Sequence, residues 1–298
     1  LRLRGRIRRP LFLDGDEWHL GITVGGGLYS YAYPSLNRLA LDSGAELALG
    51  IELDFGGYAE LATDGESVIF LPQIGSGTIY GFNTRTEELW SVVEEANDPA
   101  APHVIGGDLY YRDHENFAEP VMVVPLDGSA PPTVFGPDTS SIALHVDETH
   151  VYWAPDDESS IRNPVGELRR APLNEPNAVE LLGPVIPEQR LHGNSMYLFF
   201  TEGNALWALP KAGGEAFVIH GGSVLLQDAD ESGVYVSRSP SLNAPEEETG
   251  VISRIDIEGN GVNVFYGRGG GFGAHVSDGV LYVFAPNSEI VWAVDVPD

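Results

Sequence analysis

One short pattern returns along this chain about every forty residues, and it limits the fold more than any other feature. Its clearest copy is residues 144–173, LHVDETHVYWAPDDESSIRNPVGELRRAPL, which reads as strand, polar turn, strand, long loop, strand. The copies align on the residue that ends a Leu/Val-Tyr type pair. These anchors are Tyr29, Ile69, Tyr110, Tyr152, Tyr197, Tyr235 and Tyr282. Self-similarity at this period signals a solenoid or a propeller. The copies carry four short strands each, which selects the propeller, with one copy per blade.

The strands repeat in kind. Each anchor sits in a second strand such as LYYR, VYWA or VYVS, followed by a third such as VMVVPL, ELRRAPL or ALWALP. Turns with Gly, such as LDGS and KAGG, lead to a fourth strand such as PTVF or AVELL. The expectation is an all-β, single seven-bladed β-propeller over residues 1–298. Its blades are expected at 16–50, 51–97, 98–138, 139–184, 185–223, 224–270 and 271–298 joined to 1–13. The last copy lacks a fourth strand. Residues 1–13, LRLRGRIRRPLFL, alternate Arg2, Arg4, Arg6 and Arg8 with mostly apolar positions, the period of a strand. Pairing this segment with 289–296 would close the ring; the alternative is that it adds as a strand to a neighbouring molecule. Trp90, Trp153, Trp207 and Trp292 are expected to pack between blades.

Composition narrows the partners. The net charge is −28, and Lys211 stands alone against fifteen arginines. Phosphate binding needs clustered cations, so nucleic acid and anionic membrane are excluded as partners. No apolar run reaches the ~18 residues of a membrane helix, so no membrane insertion is expected. The first residues carry no apolar signal core, which predicts that any signal peptide has been removed. With no cysteine, disulfides, thiolate metal sites and thiol catalysis are all ruled out.

The triplet Val151-Tyr152-Trp153, with Asp147 five residues before the tyrosine, resembles the YWTD-type propeller repeat. It is also similar to the Tyr-Trp repeats of secreted propellers in soil bacteria such as myxobacteria. Only the fourth copy keeps the Tyr-Trp pair, while Asp64, Asp147 and Asp230 hold the turn aspartate. The resemblance implies a fold and an extracytoplasmic bacterial location, secreted, periplasmic or at the cell surface. It implies no particular activity.

The first strand of each blade lines the central channel. Seven residues before the anchors stand Ile22, Ala62, His103, His145, Arg190, Asp228 and His275. Five consecutive blades thus present a polar or ionisable group in one column. His103, His145, His275 and Asp228 are donor types suited to a divalent metal such as zinc. Alternatively, one histidine acts as general base while Arg190 holds an anion. This column is similar in position to the channel-mouth histidine and metal of streptogramin lyase-type seven-bladed propellers. The competing structural reading turns the same groups into the gaps between blades. In the fifth copy His192 stands two residues past Arg190 and is the alternative there. His114, His150 and His220 fall in turns and loops, His19 stands three residues before the first column position and would join it only if that copy is misaligned, and all four are expected to be structural or exposed.

Two long loops, 155–165 and 237–249, are expected over the same face. In the first, Asp156, Asp157 and Glu158 offer carboxylates for calcium, without the one-three-five spacing of a loop built for it. Phosphate-loop, His-Glu-x-x-His and Gly-x-Ser-x-Gly signatures are absent. The function expected first is a non-enzymatic extracytoplasmic binding or scaffold propeller. Its partner would be another protein or a neighbouring subunit. The second reading is a metal-assisted lyase or hydrolase acting on a small anionic substrate at the channel mouth.

Overall fold

The computed structural model describes residues 7–12, 21–24, 27–32, 35–41, 46–52, 59–72, 76–114, 119–137, 141–155, 167–184, 190–238, 249–268, 273–284 and 290–296. All regular structure among them is β, in antiparallel four-stranded sheets. Six sheets are each built from four consecutive strands. We number these blades one to six in chain order. Their inner strands are Gly21–Val24, Ala59–Thr63, Ala100–Ile105, Ser141–Val146, Leu191–Gly193 and Leu225–Asp230.

The remaining sheet is a composite, here called the closing sheet. Gly273–Ser277 is innermost, then Val280–Phe284, then Ile290–Asp295, and Ile7–Phe12 is outermost. The expectation of a seven-bladed propeller is corrected in this sense. The chain supplies six self-contained blades, and the closing sheet is shared between its two ends. The anchors mark apolar hairpins, and a hairpin near the end of a chain does not carry its outer strand with it. The described part of the expected pairing segment 1–13 is a strand. It is IRRPLF, with Ile7 opposite Val294 and Phe12 opposite Ile290. Residues 1–6, with three of the five arginines, lie outside the described residues.

Inner strands of successive sheets contact one another, and Gly21–Val24 contacts Gly273–Ser277, so the ring is continuous. The side chains between sheets are apolar because both faces of each sheet are covered. Ala62, Ile69 and Leu71 of blade two pack on Val104, Leu109 and Tyr111 of blade three. Trp153 is fully buried against Tyr110 and Val121. Trp292 packs beside Phe265, and Trp207 joins the cluster between blades four and five. Trp90 lies on the Gly81 backbone, where a Cβ would come within 2.2 Å of the indole, and donates to Leu126 O at 2.8 Å. Only glycine leaves room for that ring.

The turn between first and second strands has its own chemistry. Asp147 Oδ1 accepts from the Thr149 and His150 amides at 2.8 and 2.9 Å. Asp64 and Asp230 make equivalent bonds, satisfying amides that the tight turn leaves unpaired. In blade five Asn194 does this, accepting from Met196 and Tyr197. The anchor of that blade is therefore Phe199, opposite His192, and not Tyr197.

Candidate functional site

The inner strands bring ionisable side chains from several blades to one cavity of about 300 Å³. Glu60, His103, Arg112, Arg190, His192, Asp228 and His275 line it, beside smaller apolar residues. Its volume is at the small end of ligand pockets. Two of these inner strands carry bulges just before the column residue, between Ala100 and His103 and between Leu226 and Asp228. A bulge re-aims the side chain that follows it. Ala101, inside the first bulge, has a φ of 52° and donates its amide to Glu60 Oε2 of blade two at 2.6 Å. Holding a non-glycine residue there costs on the order of 1–3 kcal/mol, which the neighbouring blade's carboxylate offsets.

Asp228 is the hub. Its Oδ2 accepts from His275 Nδ1 at 3.0 Å and from the Val276 amide at 2.9 Å, both across the seam to the closing sheet. Its Oδ1 accepts the Ala229 amide at 2.8 Å and faces His192 Nδ1 of blade five at 3.6 Å. Burial alone would raise this carboxyl, but the hydrogen bonds from His192 and His275 outweigh it and hold the group below the usual carboxylate range.

The column's other pair meets across blades three and four. His103 Nε2 lies 3.3 Å from Leu144 O of blade four, and the His103 and His145 rings meet edge-on at 5.3 Å. His145 turns into the seam between blades four and five. There its Nε2 is 3.4 Å from Lys211 Nζ, and Lys211 pairs with Asp147 at 2.8 Å and lies over the Tyr152 ring. Burial pushes His103 down to about 4, helped by His192, and pushes His145 well below its ordinary value, helped by His103 and Lys211. Both rings are therefore neutral around pH 7. Lys211 and His145 fit because Gly193 has no side chain; a Cβ there would lie 2.6 Å from His145 Nε2.

The column expected from the sequence is thus divided. His275 and Asp228 meet, His103 lines the same cavity, and His145 belongs to a blade seam. Among the described residues, no group of three or more His, Cys, Asp or Glu is arranged to hold a metal ion. His103 meets His145 across blades three and four, and His275 meets Asp228 across blade six and the closing sheet. The column residue of blade five is His192, since it pairs opposite the anchor; Arg190 lies just before that strand, exposed, on the cavity wall. The column also stands nearer the hairpin-turn end of its strands than their leading ends. Asp156, Asp157 and Glu158 lie outside the described residues. Sequence reading missed Lys211, Gly193 and Glu60. His192 stood as the alternative to Arg190, and Asn194-Ser-Met-Tyr, which has the form of an Asx turn, favours it.

No protein-family model matches the chain, and no curated protein matches it by sequence. Solved structures do match. A chain of the mitotic checkpoint complex is similar with a TM-score of 0.69 at 11% identity, over 100% of this chain and 98% of that one. BamB from Moraxella catarrhalis is similar at 0.57 and 12%, over 98% and 99%. A TolB-type protein from Agrobacterium tumefaciens is similar at 0.53 and 12%, over 85% and 94%. At these identities the likeness shows the propeller fold alone. No helix among the described residues is long and apolar enough to cross a membrane.

Proposed function

We propose that this chain is a non-enzymatic binding propeller whose partner, a protein, engages the cavity at the centre of the ring. The observation that carries the reading is the composition of that cavity. Blades two, three, five and six and the closing sheet each contribute an ionisable side chain to it, while its described lining includes no Ser, Thr, Cys, Tyr or Lys. Groups fixed by backbone amides and neighbouring blades suit recognition, because they are already ordered before a partner arrives. The similarity to a chain that works inside a multiprotein complex supports a protein partner. An extracytoplasmic location is part of the same proposal, in line with the Tyr-Trp repeat resemblance.

The metal-assisted lyase or hydrolase reading gains less support. The Asp228–His275 pair has the form of an oriented base, but among the described residues no group of three or more His, Cys, Asp or Glu is arranged to hold a metal ion. The test is a peptide-display selection on the intact chain and on Ala274→Trp, which fills the cavity from the closing sheet. Peptides enriched on the wild type and lost on the variant support the reading. Selections that do not differ between the two contradict it.

A further inference from the structure

We infer that the cavity recognises a terminal carboxylate carrying a hydrogen-bond donor on the adjacent carbon, the chemistry of a polypeptide C-terminus. This rests on the binding reading above and names what the partner presents.

Most of the polar groups around the cavity are already engaged. Glu60 holds the Ala101 amide. Arg112 is paired with Glu119. Gln227 donates to Ser237 Oγ at 3.0 Å, and Asp228 is occupied on both oxygens. His103 is turned to a backbone carbonyl. Arg190 differs. It is exposed, and among the described residues its guanidinium makes only a long 3.5 Å contact with Leu226 O and no carboxylate lies in ion-pair range of it. A guanidinium in this state is a fork for one carboxylate.

Charge then selects against heavier anions. Glu119 offsets Arg112, and Glu60 and Asp228 already outnumber Arg190, so the negative surroundings disfavour a dianion more than a monoanion. The imidazoles supply the second point of recognition. His275 presents Nδ1 to Asp228, and His192 faces it the same way. A neutral imidazole whose Nδ1 carries the proton has an accepting Nε2. The preferred ligand therefore brings a donor next to its carboxylate, which at a chain end is the last amide N–H.

The test titrates four probes into intact protein labelled with ¹⁵N-histidine: N-acetylalanine, N-acetylalaninamide, lactate and inorganic phosphate. The His192 and His275 Nε2 resonances are followed. The expected result is saturable shifts with N-acetylalanine, none with the amide, and affinity reduced about tenfold or more in Arg190→Gln, partly restored in Arg190→Lys. Arg190 is exposed, and a thermal melt checks that its variants fold. Lactate binding as tightly as N-acetylalanine would assign the site to a small hydroxy acid and overturn the chain-end assignment. Equal binding of the amide, tighter binding of phosphate, or no effect of Arg190→Gln would also overturn it. If N-acetylalanine fails while display yields cavity-dependent peptides, this inference falls and the binding reading stands. If both fail, both fall.

Discussion

His275 Nδ1 lies 3.0 Å from Asp228 Oδ2, and the two residues belong to neighbouring sheets, forty-seven residues apart in the chain. The bond does two things at once. It fastens the closing sheet to blade six at the channel, and it fixes which nitrogen of the ring is left for a ligand. Asp228→Asn keeps the shape but replaces an acceptor oxygen and removes the charge. It should cost about 2–3 kcal/mol of stability in urea unfolding, since hydrogen bonds to charged groups are the stronger ones.

The seam between blades four and five gives a second prediction. Lys211 is 9% exposed and pairs with Asp147, whose carboxyl burial would raise but which Lys211, Thr149 and His150 hold below the usual range. Lys211→Met leaves Asp147 without its cation and should destabilise the fold by about 2–4 kcal/mol. Adding Asp147→Asn should recover part of the loss, because the stranded charge is gone. A double variant no better than the single would show that the pair is not coupled.

Gly193→Ala tests the same seam by volume. The backbone there is not left-handed, so the cost is steric alone: the new Cβ meets His145 Nε2 at 2.6 Å and Lys211 Cε at 3.1 Å. A loss of about 1–3 kcal/mol is expected. Combining it with His145→Ala should cost less than the sum of the two single changes in a thermal melt, as the closer clash disappears while Lys211 Cε stays at 3.1 Å.

Periodicity decides how much of this was legible beforehand. The propeller, the hairpin anchors and the turn aspartates depend on local alternation and on Asx turns, and both are written in consecutive residues. The His103, Asp228 and His275 column came from counting back from the anchors. What counting cannot give is direction. Whether His145 faces the channel or a seam depends on Gly193 and Lys211, both on blade five and far along the chain. Blade five was misregistered because Asn194 takes the place of the turn aspartate and Phe199 that of the anchor tyrosine. The composite closing sheet joins segments nearly a full chain apart; the alternation in residues 1–13 pointed to it, and Ile7–Phe12 of that segment pairs with the last strand.

Acid should weaken the fold before its carboxylates titrate. His103 is held at about 4 and His145 well below its ordinary value, against ~6.5 in the unfolded chain. The unfolded state then binds more protons, so this part of the stability is full above pH ~6.5 and is lost as pH falls towards ~4. The contribution from His103 is about 2 kcal/mol after allowing for its partial contact with the cavity. Asp147 and Asp228, with lowered values, add their own losses only as pH falls below ~4. Urea unfolding from pH ~7 to ~4 should show the decline, and His103→Gln should flatten it.

Removing residues 1–12 deletes the outer strand of the closing sheet. The monomer should melt lower by roughly 5–15 °C, the consequence of a few kcal/mol in a domain of this size. If the truncated chain melts unchanged and only an assembly is lost, the pairing belongs between molecules.

The central claim is that Asp228 holds His275 so that its outer nitrogen is free to accept. Long-range ¹H–¹⁵N correlation on ¹⁵N-histidine-labelled protein at mildly alkaline pH tests it directly. The account predicts a His275 ring protonated on Nδ1 and bare on Nε2, a state lost in Asp228→Asn. A ring protonated on Nε2, or one averaging between tautomers and indifferent to Asp228→Asn, would contradict it.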